Sequence, residues 1–314
     1  MILNKITTKI TTFLKKKKVD KRRRSNWYIY LISFAATSLL LVLFITAFQD
    51  ILFPSANMGQ IDPTGRMNYV PQAELNASAL FMMSDEPGSI PSLYMLVDYR
   101  PRDGAITVVP LSEDTRLELP RRNAANSGTL VDLYRTGGTD LVLAGISETF
   151  GIDCDYHVTF NRASFSLFTS QLGDVQVSVP ALFQAGNLVL SVGEHMLSGG
   201  DWFTYMNYAE FAQAGENFRL EVMAQTMAYF INTNLRNKSE DEVSTLFTRV
   251  LNNSTTNLTF QDLAAYQRAL HHTSNNAINP TVAYVPTTTR EGHELVLSAD
   301  SITEIKNKFG VAGQ

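Results

Sequence analysis

Cysteine is almost missing from this 314-residue chain, where Cys154 stands alone. A single cysteine excludes an intramolecular disulfide and any Cys-based metal site, so the folded part must rely on its apolar core. The strings HExxH, GxSxG and GxxxxGK[ST] are absent as well. Their absence removes the usual zinc-protease, hydrolase-elbow and nucleotide-binding readings. Basic side chains are scarce after Phe48. Of 26 Lys/Arg and 30 Asp/Glu, ten basic residues and one acid (Asp20) precede Trp27, leaving 16 basic and 29 acidic residues after Phe48, a formal −13. A body of that charge lacks the clustered cations that neutralising nucleic-acid phosphates requires, so no nucleic-acid partner is expected.

Charge of either sign is missing from Trp27 to Phe48, twenty-two residues in a row. As a helix this run covers about 33 Å, enough for a hydrocarbon core of about 30 Å. Lys15, Lys16, Lys17, Lys18, Lys21, Arg22, Arg23 and Arg24 precede it, which predicts a cytoplasmic N-terminus and an extracytoplasmic remainder. The run exceeds the roughly 7–15 apolar residues of a cleaved signal, and no small-x-small site follows, so an uncleaved anchor in the cell membrane is expected. The domain reading is a basic stub over 1–26, a transmembrane anchor over 27–48, a Pro/Gly/Asn-marked spacer over 49–75 and one folded domain over 76–314.

Within that domain strands and helices alternate. Ser92–Tyr99 and Ala105–Leu111 read as a hairpin pair, with further strands at Asp155–Phe160, Val175–Val179 and Asn187–Val192 and late strands at Val282–Val285 and Glu294–Leu297. Helices are predicted over Thr139–Phe150, Asn161–Leu172, Ser198–Phe211, Glu216–Leu235, Glu240–Leu251, Thr259–Leu270 and Ser301–Phe309, with Gly128–Gly138 as a turn-rich stretch. The fold class is α/β, a mixed central sheet with helices on both faces. Five histidines show no ligand spacing, and Asp153 and Asp155 read as loop and strand-start residues.

Three strings are distinctive. Phe150–Pro180 reads FGIDCDYHVTFNRASFSLFTSQLGDVQVSVP, Gly193–Tyr208 reads GEHMLSGGDWFTYMNY, and TNLTFQDLA begins at Thr256. Together they resemble the LytR–CpsA–Psr family of bacterial envelope proteins, over about Ser89 to Leu270. The resemblance implies transfer of a glycopolymer from a polyprenyl pyrophosphate carrier to peptidoglycan. It also implies arginines around the pyrophosphate, a pair of aspartates for Mg²⁺, and an apolar site for the lipid.

Few of those charges are in register here. The family's Arg-Ser-Asp-Thr is Ile90, Pro91, Ser92, Leu93, and its Pro-Arg-Asp-Thr is Ser112, Glu113, Asp114, Thr115. Its Lys-Ile-Asn is Thr129, Leu130, Val131, its tyrosine-x-arginine ends at Asn207, and of its two later arginines only Arg219 remains, Val222 replacing the other. The resemblance therefore implies catalytic roles for Asp114 and Arg219, with Asp114 on Mg²⁺ if the chain is active. Thr115, Arg116, Arg122 and Asn207 are the candidates for contacting substrate. Glu113 places an acid where the family has an arginine. Transfer is expected to be weakened or lost, leaving a binder of polyprenyl-phosphate lipid or glycopolymer, or an assembly partner. The alternative is an active phosphotransferase with a rearranged arginine set drawn from residues such as Arg116 and Arg122.

Overall fold

Leu93–Arg100 (LYMLVDYR) is apolar nearly throughout because it is covered on both sides. Side chains alternate across a strand, and here Leu93, Met95 and Tyr99 enter one core while Tyr94 and Leu96 enter another. A computed structural model of the chain describes residues 69–120, 126–179, 182–208, 211, 215–276 and 281–311. They belong to one compact unit spanning Asn68–Gln314.

The first part of that unit holds β1 (Ala77–Ser84), β2 (Leu93–Arg100), β3 (Ala105–Leu111), β4 (Arg116–Glu118), β5 (Ser127–Thr129) and α1 (Leu130–Phe150). Next come β6 (Tyr156–Asn161), α2 (Arg162–Ser170), β7 (Val175–Val179), β8 (Phe183–Ala185), β9 (Leu188–Leu190) and β10 (Gly193–Leu197). They are followed by α3 (Gly199–Met206), α4 (Glu216–Leu235), α5 (Glu240–Asn253), β11 (Thr255–Thr256) and α6 (Phe260–Asn276). The last elements are β12 (Thr281–Ala283), β13 (Thr288–Glu291), β14 (Glu294–Leu297) and α7 (Ala299–Lys308).

Six strands form the central sheet in the order β11-β6-β1-β2-β3-β12. The β1–β2, β2–β3 and β11–β6 pairs are antiparallel, while β1–β6 and β12–β3 are parallel. The sheet is therefore mixed, as the alternation of elements predicts. On one face Met83, Leu93, Met95 and Phe160 pack with Phe165 and Phe168 of α2, Trp202 and Phe203 of α3, and Leu220, Met223 and Met227 of α4. On the other, Leu80, Met82, Leu96 and Val109 meet Leu133, Val142 and Ile146 of α1 and Ile305 of α7. Each such side chain fully buried contributes about 1.5–3 kcal/mol, which lets a chain without disulfides hold two cores around one sheet.

Two expectations are corrected. The 128–138 stretch is not a turn: α1 begins at Leu130, capped by the Thr129 hydroxyl, which accepts from the Asp132 N–H. The two glycines instead produce a break inside the helix at Gly138, whose φ of 63° is open to glycine but costly for other residues. Strand β1 was not predicted, although ASALFMMS supplies the strand at the centre of the sheet. Its alternation is hidden because Phe81 and Met83 face one core and Leu80 and Met82 the other.

The segment 27–48 and the stub 1–26 lie outside the described residues. Among the described residues no helix is long and apolar enough to cross a membrane. Of the spacer 49–75, Ala73–Leu75 form one 3-10 turn.

Candidate functional site

The strand directions put several loops on one border of the sheet. β1, β3, β6 and β12 all run the same way, and β2 runs against them. Their C-terminal ends and the start of β2 therefore share a border, the place where open α/β sheets commonly bind ligands. The loop after β1 carries Asp85, the loop after β3 carries Ser112–Thr115, β6 leads into Arg162, and Ser92 immediately precedes β2, whose second residue is Tyr94.

Arg219, in the first turn of α4, is buried at 7% exposure. Its Nε donates to Oε1 and Oε2 of Glu216 at 3.0 and 3.2 Å, and its Nη2 to Oε1 at 2.5 Å. Glu113 is the third member of this group. Burial raises its carboxyl above the usual range, the Arg219 charge opposes that rise, and Asp114 and Glu216 reinforce it. Glu216 holds the arginine directly, and Glu113 senses its charge from the loop after β3.

Asp114 points elsewhere. Its backbone N–H donates to Ser112 Oγ at 3.3 Å, its carbonyl accepts from the Leu295 N–H at 2.9 Å, and its Oδ2 lies 3.5 Å from Nη1 of Arg290. Thr115 is 1% exposed; its N–H donates to the Ser112 carbonyl at 2.9 Å and its carbonyl accepts from Leu130 at 3.0 Å. These bonds fasten the loop to the first turn of α1.

Arg116 lies on β4, with Nη1 at 3.5 Å from Glu291 and 3.3 Å from Glu294. Asn207 closes α3, its N–H donating to the Phe203 carbonyl at 3.1 Å. Arg122 lies outside the described residues.

The buried polar atoms Ser92 Oγ, Tyr94 OH, Thr115 Oγ1 and Asn207 Nδ2 have no hydrogen-bond partner among the described residues. A buried unmade hydrogen bond costs about 1–3 kcal/mol. Ser92, Tyr94 and Thr115 belong to segments at this border, while Trp202 Nε1, His272 Nδ1 and Thr281 Oγ1 are buried without a partner elsewhere among the described residues. Burial, and next the Glu113 charge, push the Tyr94 phenol well up, so it stays a hydroxyl donor across the physiological range.

The sequence brought Asp114, Thr115 and Arg219 to this border and offered Glu216 as a partner for Arg219 at helical spacing, but not the partner of Asp114. Arg290 is 176 positions from Asp114, and no local pattern announces the pair. Arg162 was also missed. Its signal was available in the sequence, as an arginine in the first turn of the helix predicted from Asn161, two residues after the strand predicted to end at Phe160.

The Mg²⁺ implied by the family resemblance does not fit the residues present. Ser92 has taken the place of one expected aspartate, and the surviving Asp114 faces a guanidinium at 3.5 Å. No cluster of three or more His, Cys, Asp or Glu suited to a metal occurs among the described residues.

These elements define the class of the domain, an α/β fold with two cores around one mixed sheet. The family follows from comparison: the LytR_cpsA_psr family model matches residues 92–309, and the chain belongs to that family. It is 23% identical over 163 residues to the polyisoprenyl-teichoic acid–peptidoglycan teichoic acid transferase TagU of Enterococcus faecalis, covering 52% of this chain and 53% of that protein. It is 24% identical over 196 residues to TagU of Bacillus subtilis, covering 60% and 62%. The chain thus spans between about half and three-fifths of these relatives' length. The crystal structure of B. subtilis TagV superposes with a TM-score of 0.63 at 17% identity, covering 75% of this chain and 96% of that one. That likeness establishes the fold.

Proposed function

We propose that this chain is an envelope-assembly member of its family that binds polyprenyl-linked glycopolymer, with transfer of that polymer to peptidoglycan weakened or lost. Residues 27–48 would hold the domain at the outer face of the cell membrane, beside the lipid carrier. The family role is supported by the family match and by the transferase names of the TagU relatives.

One observation carries the loss. Arg219 is engaged by Glu216 through three hydrogen bonds, and the half-buried Glu113 is a second acid whose carboxyl feels the Arg219 charge. A pyrophosphate arriving there would have to displace Glu216 and would meet Glu113. Each missing charge-assisted hydrogen bond costs about 1.5–3 kcal/mol, so several together lower binding by orders of magnitude. The rearranged-arginine alternative would draw on Arg116, which already faces Glu291 at 3.5 Å and Glu294 at 3.3 Å, and on Arg122, which lies outside the described residues.

The test is incubation of the full-length chain in detergent with a polyprenyl-pyrophosphate-linked glycopolymer, peptidoglycan and Mg²⁺. The expected result is retention of the lipid-linked polymer without turnover. Cleavage of the pyrophosphate bond that Asp114→Ala abolishes would overturn the reading.

A further inference from the structure

From Val175 to Gly193 the chain has no Asp, Glu, Lys, Arg or His, nineteen residues in a row within a part of formal charge −13. Inside this stretch β8 and β9 form a two-stranded hairpin apart from the central sheet. Its inner face is fixed. Phe183 and Leu190, paired across the hairpin, are buried, and the Phe183 ring lies 4.3 Å from Tyr208 and 5.9 Å from Phe211. Its outer face is bare. Val189 stands opposite Gln184 and is 59% exposed. Leu182, just before β8, is 70% exposed, and Val192, between β9 and β10, is 66% exposed. Other exposed apolar side chains, such as Leu167, Phe260 and Val282, stand on separate elements.

We propose that this hairpin is a second membrane contact, with Leu182, Val189 and Val192 inserting into the interface of the lipid bilayer. The proposal rests on the membrane tether in the reading above. Apolar side chains gain by leaving water, and a charge-free surround spares the insertion the cost of carrying ions into lipid. The acidic remainder of the domain has no attraction for anionic lipid, so apolar insertion is the contact its composition permits. Three side chains are enough, because a tether makes the contact intramolecular and raises its effective concentration. They fall well short of the about 800 Å² per partner that a stable protein interface buries, which disfavours a second copy as occupant. The 20 residues 49–68 cover up to about 66 Å when extended. The eight-residue β1 is only about 27 Å long. The intervening chain is therefore long enough for either border of the sheet to turn toward lipid.

The contact has a consequence for the site. Phe211, packed on Phe183, also lies 5.5 Å from Phe218, the residue before Arg219 at the start of α4. Two aromatic contacts thus join the hairpin to the Glu216–Arg219 turn. A hairpin seated in the bilayer holds that turn close to the headgroups, the level at which a carrier lipid presents its phosphates.

The test is spin labelling of the full-length chain in nanodiscs of phosphatidylethanolamine and phosphatidylglycerol. Nitroxides are attached one at a time at Val189→Cys, Leu182→Cys, Ala36→Cys in the proposed anchor, and Arg135→Cys on the exposed surface of α1. Burial pushes the native Cys154 thiol up to about 12, so it labels poorly and stays in place. Collisions with lipid-soluble oxygen are compared with those of a water-soluble nickel chelate, and thermal unfolding reports whether each variant keeps the fold. The labels at Val189 and Leu182 are expected to favour oxygen, as the label at Ala36 does, while the label at Arg135 favours nickel. Adding Val189→Asp and Val192→Asp should return the Leu182 label to nickel. If the hairpin labels behave like the one at Arg135 while Ala36 reports lipid, the docking is wrong and the tether stands. If Ala36 also favours nickel, the tether reading fails and the docking with it. Line broadening at Val189 that disappears on mixing with unlabelled chain would place a second copy on the hairpin and overturn the proposal.

Discussion

Arg219 and Glu216 are one helical turn apart, and their side chains are 8% and 10% exposed with Nη2 and Oε1 at 2.5 Å. A pair this buried is costly to break from one side, because the survivor remains as an unpaired charge. Arg219→Ala is expected to destabilise the domain by about 3–5 kcal/mol. Arg219→Met combined with Glu216→Leu should cost much less, since neither partner is then stranded. Urea unfolding of the single and double variants separates the two outcomes.

Glu113 gives stability a pH dependence of unusual sign. Burial raises its carboxyl in the folded chain, so the folded state holds the proton more tightly than the unfolded state. Its favourable contribution is full below the ordinary glutamate value of about 4.3 and is lost as pH rises through the folded value. Glu113→Gln should remove that loss and leave the variant more stable than wild type at pH 7. Denaturant midpoints between pH 4 and 8 check this, and parallel curves for the two proteins would contradict it.

Gly199 holds α3 close to α2. A Cβ there would lie 2.5 Å from Ser166 Cα and closer still to the Thr169 hydroxyl. The backbone atom cannot yield as a side-chain tip would, so Gly199→Ala should destabilise by about 1–3 kcal/mol. Gly200→Ala, whose Cβ would meet nothing closer than Ser166 Oγ at 3.7 Å, should be tolerated better. Comparing the two melting temperatures tests whether close helix contact is the cause.

Asn161 begins α2 with a reciprocal cap: its side chain accepts from the Ser164 N–H at 3.0 Å, and Ser164 Oγ accepts from the Asn161 N–H at 3.1 Å. Asn161→Ala should cost about 1 kcal/mol. Asn161→Asp should retain the cap and most of the stability, measurable by thermal unfolding.

The sheet-and-helix alternation was legible because most elements carry local signals. Val175–Val179 alternates, Asn161 caps, and Gly151 ends α1 with a left-handed φ of 65°. What stayed hidden depends on contacts distant in sequence. β1 looks irregular until both of its faces are known to be covered, and the first turns of α1 look like loop because two glycines interrupt them. In the site, the Arg219–Glu216 pair was visible at helical spacing, whereas Arg290 reaches Asp114, and Glu291 and Glu294 reach Arg116, only through the β13–β14 hairpin. Local spacing cannot report which acid a distant arginine meets.

The central sheet ends on one side in β11, two residues long, and on the other in β12, three residues long. Exposed strand margins are where chains recruit one another into extended ribbons, and very short border strands are a common protection. Here each margin offers a newcomer only a few backbone hydrogen bonds before the chain turns into helix or loop. A protein without disulfides, and concentrated by its proposed tether on a two-dimensional surface, would gain from this: crowded neighbours can touch without templating one another into aggregates.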